Sequence, residues 1–116
     1  MTEHDHQVEL IRWCKLSASQ YPDLLKIFAV PNGGLRNAIV AKKLKAEGVV
    51  AGIPDLILPV AKNGYHGLFI ELKTEKGKPS PAQKDRIKQL IADGYFAVIC
   101  YGWAEARVVL KNYLES

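Results

Sequence analysis

Two carboxylates and one ammonium group interrupt an apolar part of the chain, at Asp55, Glu71 and Lys73. Residues 56–60 and 68–72 are apolar runs that flank an Asn-Gly pair, a pattern that predicts a β-hairpin. Because strand side chains alternate between faces, Glu71 and Lys73 should project from the same face. The return of the hairpin should bring Asp55 close to Glu71. This end of the hairpin therefore predicts a divalent-metal site with an attached base.

A simpler interpretation of these charges is that they only mark strand ends that return to water. A lone Glu-Leu-Lys triplet is common at such ends and carries little information. Its pairing with Pro54-Asp55 across a hairpin of this length is more specific, so the sequence favours the metal site.

The spacing of the two carboxylates constrains the hairpin. A strict two-residue loop at Asn63-Gly64 would pair Asp55 with Leu72 and send Asp55 and Glu71 to opposite faces. A shared site therefore predicts a loop with an odd number of residues, or a bulge or bend that reorients Asp55.

The composition indicates one domain spanning residues 1–116. Hydrophobic residues make up 48% of the chain, which is enough for an ordinary core without disulfides. Cys14 and Cys100 lie in apolar stretches without a metal-ligand spacing, so we expect buried thiols. There is no run of 18 apolar residues and no signal-peptide pattern, so we expect a cytoplasmic protein with no membrane partner.

Hydrophobic periodicity and turn residues predict four helices and four strands. The helices are expected at residues 2–20, 35–47, 81–93 and 103–114, and the strands at 26–30, 56–60, 68–72 and 96–101. In the first helix, Val8, Ile11, Cys14 and Ala18 recur at helical spacing and predict the buried face, which Leu10 and Trp13 broaden. The order α-β-α-β-β-α-β-α, with a parallel crossover into the last strand, predicts an α/β fold. It should contain a mixed four-stranded sheet flanked by helices on both faces.

The distribution of basic residues indicates a polyanionic partner, which the net charge of +4 supports mildly. These residues cluster in the second predicted helix and around the end of the hairpin. An Asn-Gly-Gly turn before a helix also lets the backbone approach a phosphate. The nucleic-acid-binding residues expected from these features are Asn32, Gly33, Arg36, Lys42, Lys43, Lys76, Lys78 and Lys84.

The order of the motifs resembles a known group of proteins. Pro54-Asp55 followed by Glu71-Leu72-Lys73 is similar to the PD-(D/E)xK nuclease superfamily. The motifs that narrow this to the virus-type replication-repair nuclease (VRR-NUC) domain are Glu9 in the first helix, Pro31-Asn32-Gly33, Gly52-Ile53-Pro54-Asp55-Leu56 and Ser80-Pro81-Ala82-Gln83. The likeness covers residues 9–101 and is to a stand-alone form of the domain, as found in phages and bacteria. It implies a restriction-endonuclease-like core and a bacterial or phage-infected host cell.

The resemblance also implies roles for the site residues. Asp55 and Glu71 would hold Mg²⁺ or Mn²⁺, ions that prefer carboxylate oxygens, with the carbonyl of Leu72 as a further ligand. Leu72 stands where valine is common in that family, which is an apolar-for-apolar change. Glu9 would be a ligand or the holder of a metal-bound water, although it could equally be a boundary residue that reaches water.

Two further residues would act on the substrate or on water. Lys73 would orient the attacking water or take its proton, and positioning is favoured because two adjacent carboxylates can raise rather than depress its pKa. Gln83 would hold a phosphate or a water beside the site. The position of Gln83 three residues after Ser80 also makes it a capping partner of the third helix.

The implied activity is hydrolysis of phosphodiester bonds in DNA by a metal-dependent, structure-selective endonuclease. Stand-alone domains of this family resemble junction resolvases in size, so a homodimer that cuts four-way (Holliday) junctions is expected. A flap or nicking nuclease of the same fold and a non-catalytic nucleic-acid-binding module are the alternatives. A small-molecule enzyme is disfavoured, because the chain has no P-loop or GxGxxG fingerprint.

Overall fold

The computed structural model describes residues 1–31 and 37–116. Within these residues the chain forms four α-helices and four strands in the predicted order. The helices are α1 (Glu3–Leu16), α2 (Ala38–Ala46), α3 (Pro81–Ala92) and α4 (Trp103–Glu115), and a 3₁₀ turn spans Pro22–Lys26. The strands are β1 (Phe28–Ala29), β2 (Leu56–Leu58), β3 (Leu68–Lys73) and β4 (Phe96–Tyr101).

The four strands form one mixed sheet in the order β1-β2-β3-β4. The pairs β1–β2 and β2–β3 are antiparallel, whereas β3 and β4 are parallel and are joined through α3. The predicted fold class and the parallel crossover are therefore confirmed.

The two faces of β3 have different partners. Leu68, Ile70 and Leu72 are at most 1% exposed and belong to a core that includes residues of α1 and α4. The alternate residues Phe69, Glu71 and Lys73 lie on the opposite face, where Gln83 of α3 contacts Glu71. Helices thus cover both faces, and one strand carries both the apolar core and the charged residues.

The buried face of α1 overlaps the predicted one but does not include Val8. Leu10 and Cys14 are buried, but Val8 is 41% exposed. The predicted face was wrong at Val8 because the helix is turned so that the Leu10–Cys14 stripe meets the sheet. The helix is also shorter than the predicted 2–20, since Thr2 caps it through its side chain and Ser17 ends it.

Other elements also differ in extent from the prediction, and β2 ends at Leu58 rather than at residue 60. The first strand has only two residues in place of 26–30. The side chain of Asn37 accepts a hydrogen bond from the Val40 N–H and caps α2, which has no buried residue. The predicted helix start at residue 35 lies outside the described residues. Within the described part of the chain, no helix is long and apolar enough to cross a membrane.

The hairpin satisfies the spacing constraint through a bulge. Lys62 and Tyr65 bridge across a two-residue loop, with positive φ at Asn63 and Gly64, so an odd loop is not the solution. In the β2–β3 ladder, however, Leu58 pairs with Leu68, one residue out of step with that bridge. The extra residue lies on the side of the loop that contains Pro59, which has no N–H for a ladder.

The bulge brings the two carboxylates to one face. Leu56 pairs with Ile70, so the same register continued by one residue places Asp55 opposite Glu71. The predicted bulge is therefore confirmed, and a regular hairpin would have paired Asp55 with Leu72 instead.

Gly52 lies where the segment before Asp55 meets the first turn of α3. Its φ is +87°, and a Cβ atom there would lie 2.6 Å from the carbonyl oxygen of Ala82. Gly64 has a similar φ of +86°, but a Cβ atom at Gly64 would have no atom within 4 Å. Alanine at Gly64 would therefore introduce backbone strain alone, whereas alanine at Gly52 would introduce strain and crowding.

We expect Gly52→Ala to lower the free energy of unfolding more than Gly64→Ala does. Both variants place alanine in the left-handed region, which costs roughly 1–2 kcal/mol. Only Gly52→Ala must also displace α3 or the segment that carries Asp55. Urea denaturation of both variants measures the difference, and equal losses would contradict the packing of Gly52 against Ala82.

Candidate active site

Two hydrogen bonds from backbone N–H groups fix Asp55, which immediately precedes β2. Its carbonyl oxygen accepts a hydrogen bond from the Val30 N–H at 2.8 Å. Its carboxylate oxygen Oδ2 accepts one from the Leu72 N–H at 2.8 Å. Asp55 is thus held between the chain that follows β1 and the end of β3, and its side chain is directed toward Glu71.

Glu71 is a buried carboxylate with two different oxygens. Its side chain is on β3 and the residue is 1% exposed. Oε2 accepts a hydrogen bond from Nε2 of Gln83 at 3.0 Å and lies 3.6 Å from Nζ of Lys73. Oε1 is buried without a hydrogen-bond donor among the described residues. A buried polar atom without a partner is costly, so Oε1 indicates a position for a positive ligand.

The cap of α3 orients Gln83. Ser80 and Gln83 form a reciprocal capping box, in which the Gln83 Oε1 accepts a hydrogen bond from the Ser80 N–H at 2.8 Å. With Oε1 used in this way, the amide nitrogen of Gln83 faces Glu71. The structure therefore contains the predicted cap, and the same side chain also contacts the cluster.

Glu3 is the third acidic residue at this position. One carboxylate oxygen each from Glu3, Asp55 and Glu71 lie within 4.8 Å of one another. No other group of three acidic, histidine or cysteine ligands lies this close within residues 1–31 and 37–116. The sequence prediction did not include Glu3, which is exposed in the first turn of α1. Acidic residues at such a position are common because they interact favourably with the helix dipole.

The structure does not bring Glu9 into this cluster. Its carboxylate pairs with Arg12 of the same helix at 3.1 Å. Helical spacing distinguishes the two glutamates. Glu3 lies seven residues before Leu10 and eleven before Cys14, so it is on the same face of the helix as these two buried residues. The structure therefore places Glu3, and not the predicted Glu9, next to Asp55 and Glu71.

The electrostatics of the cluster favour a bound cation. Burial, followed by the neighbouring carboxylates of Asp55 and Glu3, raises the pKa of Glu71 to about 8 against the opposing effect of Lys73. Three carboxylates with one unsatisfied buried oxygen form a hard, negatively charged donor set that suits Mg²⁺ or Mn²⁺. The residues present therefore fit the implied metal.

Five of the eight predicted nucleic-acid-binding residues lie in the described part of the chain. Lys42 and Lys43 lie on α2, Lys76 and Lys78 follow β3, and Lys84 lies on α3, and all five are exposed. Asn32, Gly33 and Arg36 lie outside the described residues. Cys14 and Cys100 are free and buried, as expected.

His6 is a further residue to which the sequence assigned no role. Its Nδ1 accepts a hydrogen bond from the Trp103 N–H at 3.1 Å, at the start of α4. The preceding Gly102 N–H donates to the carbonyl oxygen of Lys73 at 2.8 Å. These bonds connect the first turn of α1, the start of α4 and the end of β3 next to the site.

Comparisons with known proteins agree with this architecture. A family model of the VRR-NUC domain matches residues 2–104. A solved structure of a VRR_NUC domain protein is 35% identical and superposes with a TM-score of 0.84, over 99% of this chain and 89% of its own. The comparison with curated proteins gives no significant match. The chain belongs to the VRR-NUC domain family, and its fold is that of a nuclease family.

The raised pKa of Glu71 predicts a pH-dependent stability of the metal-free protein. The folded pKa of about 8 lies above the ordinary value of 4.5, so the folded state retains a proton that the unfolded state loses. The resulting stabilisation is complete below about pH 4.5 and is lost as the pH rises through 8. We expect the melting temperature in EDTA to fall across this window.

Two comparisons isolate Glu71 as the cause. Glu71→Gln has no proton to lose and should flatten the dependence between about pH 5 and 8. Added Mg²⁺ should raise the melting temperature more at about pH 8 than at about pH 5, because a metal binds the ionised carboxylate. The same slope in wild type and Glu71→Gln would contradict this account.

Proposed function

We propose that this protein hydrolyses phosphodiester bonds in DNA with the help of Mg²⁺ or Mn²⁺. The observation that carries the proposal is the buried Oε1 of Glu71, which has no donor among the described residues and lies in a cluster with Asp55 and Glu3. Membership of a nuclease family supports the same chemistry. Asp55, Glu71 and Glu3 would hold the ion in this proposal.

The backbone of Leu72 supports its proposed role as a further ligand. The N–H and C=O of one strand residue point to the same side of the strand. Because the Leu72 N–H donates to Asp55, the Leu72 carbonyl is directed to that side as well. The β2 ladder ends at Leu56, so no paired residue of β2 lies opposite Leu72.

The bound metal would neutralise charge at the phosphate oxygens and polarise a water. Lys73 stays near Glu71 Oε2, and we propose that its ammonium group orients the attacking water and stabilises negative charge in the transition state. Gln83 acts on Glu71, since its amide holds Oε2 and leaves Oε1 directed to the ion. Gln83 is a positioning residue in this proposal.

The exposed lysines support DNA as the substrate. Phosphate contacts supply most of the sequence-independent affinity for DNA, and lysine is a flexible phosphate ligand. Lys76 and Lys78 are exposed on the segment that follows Lys73 at the end of β3. Lys84 is exposed on α3, next to Gln83. Lys42 and Lys43 would extend the contact along α2. Such contacts do not read bases, so we propose selection by DNA structure rather than by sequence.

We also propose that the substrate is branched DNA, such as a four-way junction, and that the active form is a homodimer. A junction presents paired strands, and a twofold dimer presents two identical sites to them. The exposed apolar residues Ile39 and Val40 of α2 and Val108 of α4 support an interface on these helices. Flap or nicked DNA is the alternative substrate.

Loss of a single negative charge in the cluster should abolish cleavage. Asp55→Asn and Glu71→Gln keep the side-chain size, and each should lower the cleavage rate by on the order of 100- to 1,000-fold or more, because metal stabilisation of the transition state is lost. Lys73→Ala should remove most activity but leave metal binding in place. DNA binding should persist in all three variants, because the exposed lysines supply it.

Glu3→Gln and Glu9→Gln are a matched pair within α1 that tests the assignment of the helix glutamate. Glu3→Gln should lower activity and weaken metal binding, whereas Glu9→Gln should lose only its surface pair with Arg12. Cleavage assays in Mg²⁺ and Mn²⁺, with gel-shift binding and thermal melts, measure all five variants. Wild-type rates in Asp55→Asn and Glu71→Gln would end the proposal, and a larger loss in Glu9→Gln than in Glu3→Gln would restore Glu9 as the ligand.

The proposed dimer predicts twice the monomer mass in light scattering at micromolar concentration. Ile39→Asp places a charge on the exposed apolar face of α2 and should shift the protein toward monomer. Junction cleavage should fall with the dimer fraction. A wild-type monomer, with and without junction DNA, would favour a flap or nicking activity.

A further inference from the structure

A pocket of about 500 Å³ opens at the carboxyl ends of β3 and β4, where Thr74 follows Lys73 in the chain. Its volume is within the range of about 300–1,000 Å³ that is typical of small-ligand sites. The residues that form its rim and walls include His6, Thr74, Glu75, Lys76, Tyr101 and Trp103. The metal-site residues Asp55, Glu71 and Glu3 are not among them, so the pocket is separate from the proposed catalytic cluster.

Tyr101 connects this pocket with the reacting centre. It pairs with Lys73 in the parallel β3–β4 ladder, two residues beyond the pair of Glu71 and Ile99. Paired residues of parallel strands project from the same face, so the Tyr101 ring stands beside the Lys73 side chain. Tyr101 is 40% exposed. Within the described part of the chain, its side chain makes no hydrogen bond or ring contact.

The second aromatic residue of the pocket has a different function. The Trp103 ring is covered by the guanidinium of Arg107, 5.4 Å from the ring centroid. The Trp103 N–H donates to His6, and a Cβ atom at Gly102 would lie 3.3 Å from the His6 ring. These contacts hold Trp103 and His6 in place within the lining and leave the ring of Tyr101 available for stacking.

The chemistry of the pocket suits a nucleobase better than a phosphate. The Glu75 carboxylate in the lining repels a phosphate but accepts hydrogen bonds from base amino groups. The Tyr101 ring offers a stacking surface, and aromatic stacking is how proteins hold unpaired bases. Lys76 in the same lining can hold the adjoining phosphate. A base within a duplex is covered on both faces by its neighbours and cannot stack on Tyr101.

We propose that Tyr101 and this pocket bind an unpaired nucleobase next to the phosphate that is cleaved. The inference rests on the proposed nuclease function and names the feature of the substrate that the site selects. A strand with an unpaired base, at a flap, at a frayed end or at a junction whose central base pairs are open, fits the pocket, whereas an intact duplex does not. The selection is by base exposure, and it is independent of base identity.

Binding to fluorescent single-stranded DNA that contains 2-aminopurine tests the inference without cleavage. The protein carries Asp55→Asn, so the strand stays intact, and the fluorescence of 2-aminopurine falls when it stacks on a ring. Adding Tyr101→Leu should weaken binding of the single strand about 5- to 100-fold and abolish the quenching. Tyr101→Phe keeps the ring and should retain both within about twofold of the Asp55→Asn parent. Binding of a fully paired duplex should be equal in all these proteins.

Tyr65→Leu is the matched control, because Tyr65 is a similarly exposed tyrosine at the other end of β3. It should leave single-strand binding unchanged. Parallel titrations with single-stranded RNA show whether the pocket binds a base equally well in RNA and in DNA. Equal quenching is expected.

Three results would overturn the inference: unchanged single-strand binding in Tyr101→Leu, an equal loss for duplex and single strand, or the same loss in Tyr65→Leu. Cleavage by the otherwise wild-type protein is measured separately. Quenching that depends on Tyr101 in a protein that never cleaves would reject the nuclease function but keep the base site. Cleavage that is equally fast on paired and unpaired substrates would reject the base site alone.

Discussion

The burial of the Glu71 carboxylate is the constraint on which the rest of the site depends. A carboxylate removed from water is costly unless charges and hydrogen bonds compensate it. Gln83 and Lys73 compensate one oxygen of Glu71, while the other has no donor among the described residues and faces two further carboxylates. Burial first, and this repulsion after it, favour a retained proton when no cation is bound, and together they raise the pKa of Glu71 to about 8. A divalent cation relieves the repulsion and leaves the carboxylate ionised.

The surrounding elements meet at Glu71 because the two faces of β3 differ. One face packs into the apolar core, and the other carries the charged residues. Ile70 and Leu72 fix β3 in the apolar core, so the side chain between them must emerge on the other face. On that face the bulge near Pro59 aligns Asp55, and the capping box at Ser80 aligns the amide of Gln83. Close packing of Gly52 against Ala82 holds the segment before Asp55 against the first turn of α3. The first turn of α1 adds Glu3. Local backbone features that look like ordinary turns and caps therefore determine the geometry of the cluster.

Much of this arrangement could be predicted from the sequence, because the decisive signals were local. The alternation of β3 and the even separation of Asp55 and Glu71 required a bulge or its equivalent, and the structure has one. The capping box at Ser80 was a direct sequence signature.

The helix glutamate was not predictable in the same way, since it depends on how α1 rotates against the sheet. The predicted apolar face includes Val8 as well as Leu10, whereas Val8 is exposed and the buried stripe runs through Leu10 and Cys14. That difference in rotation separates Glu9 from Glu3. Tyr101 likewise acquires its significance only from the long-range β3–β4 register. Both positions depend on contacts between elements that are far apart in the sequence, which local patterns do not encode.

Location of a bound metal by crystallography tests the central claim most directly. Crystals grown with Mn²⁺ and measured at a wavelength where manganese scatters anomalously would show where the ion binds. We predict an anomalous peak in direct contact with Oε1 of Glu71 and with a carboxylate oxygen of Asp55, and no such peak in Glu71→Gln. A wild-type structure at saturating Mn²⁺ with no ion at Glu71, or with the same peak retained in Glu71→Gln, would contradict the account.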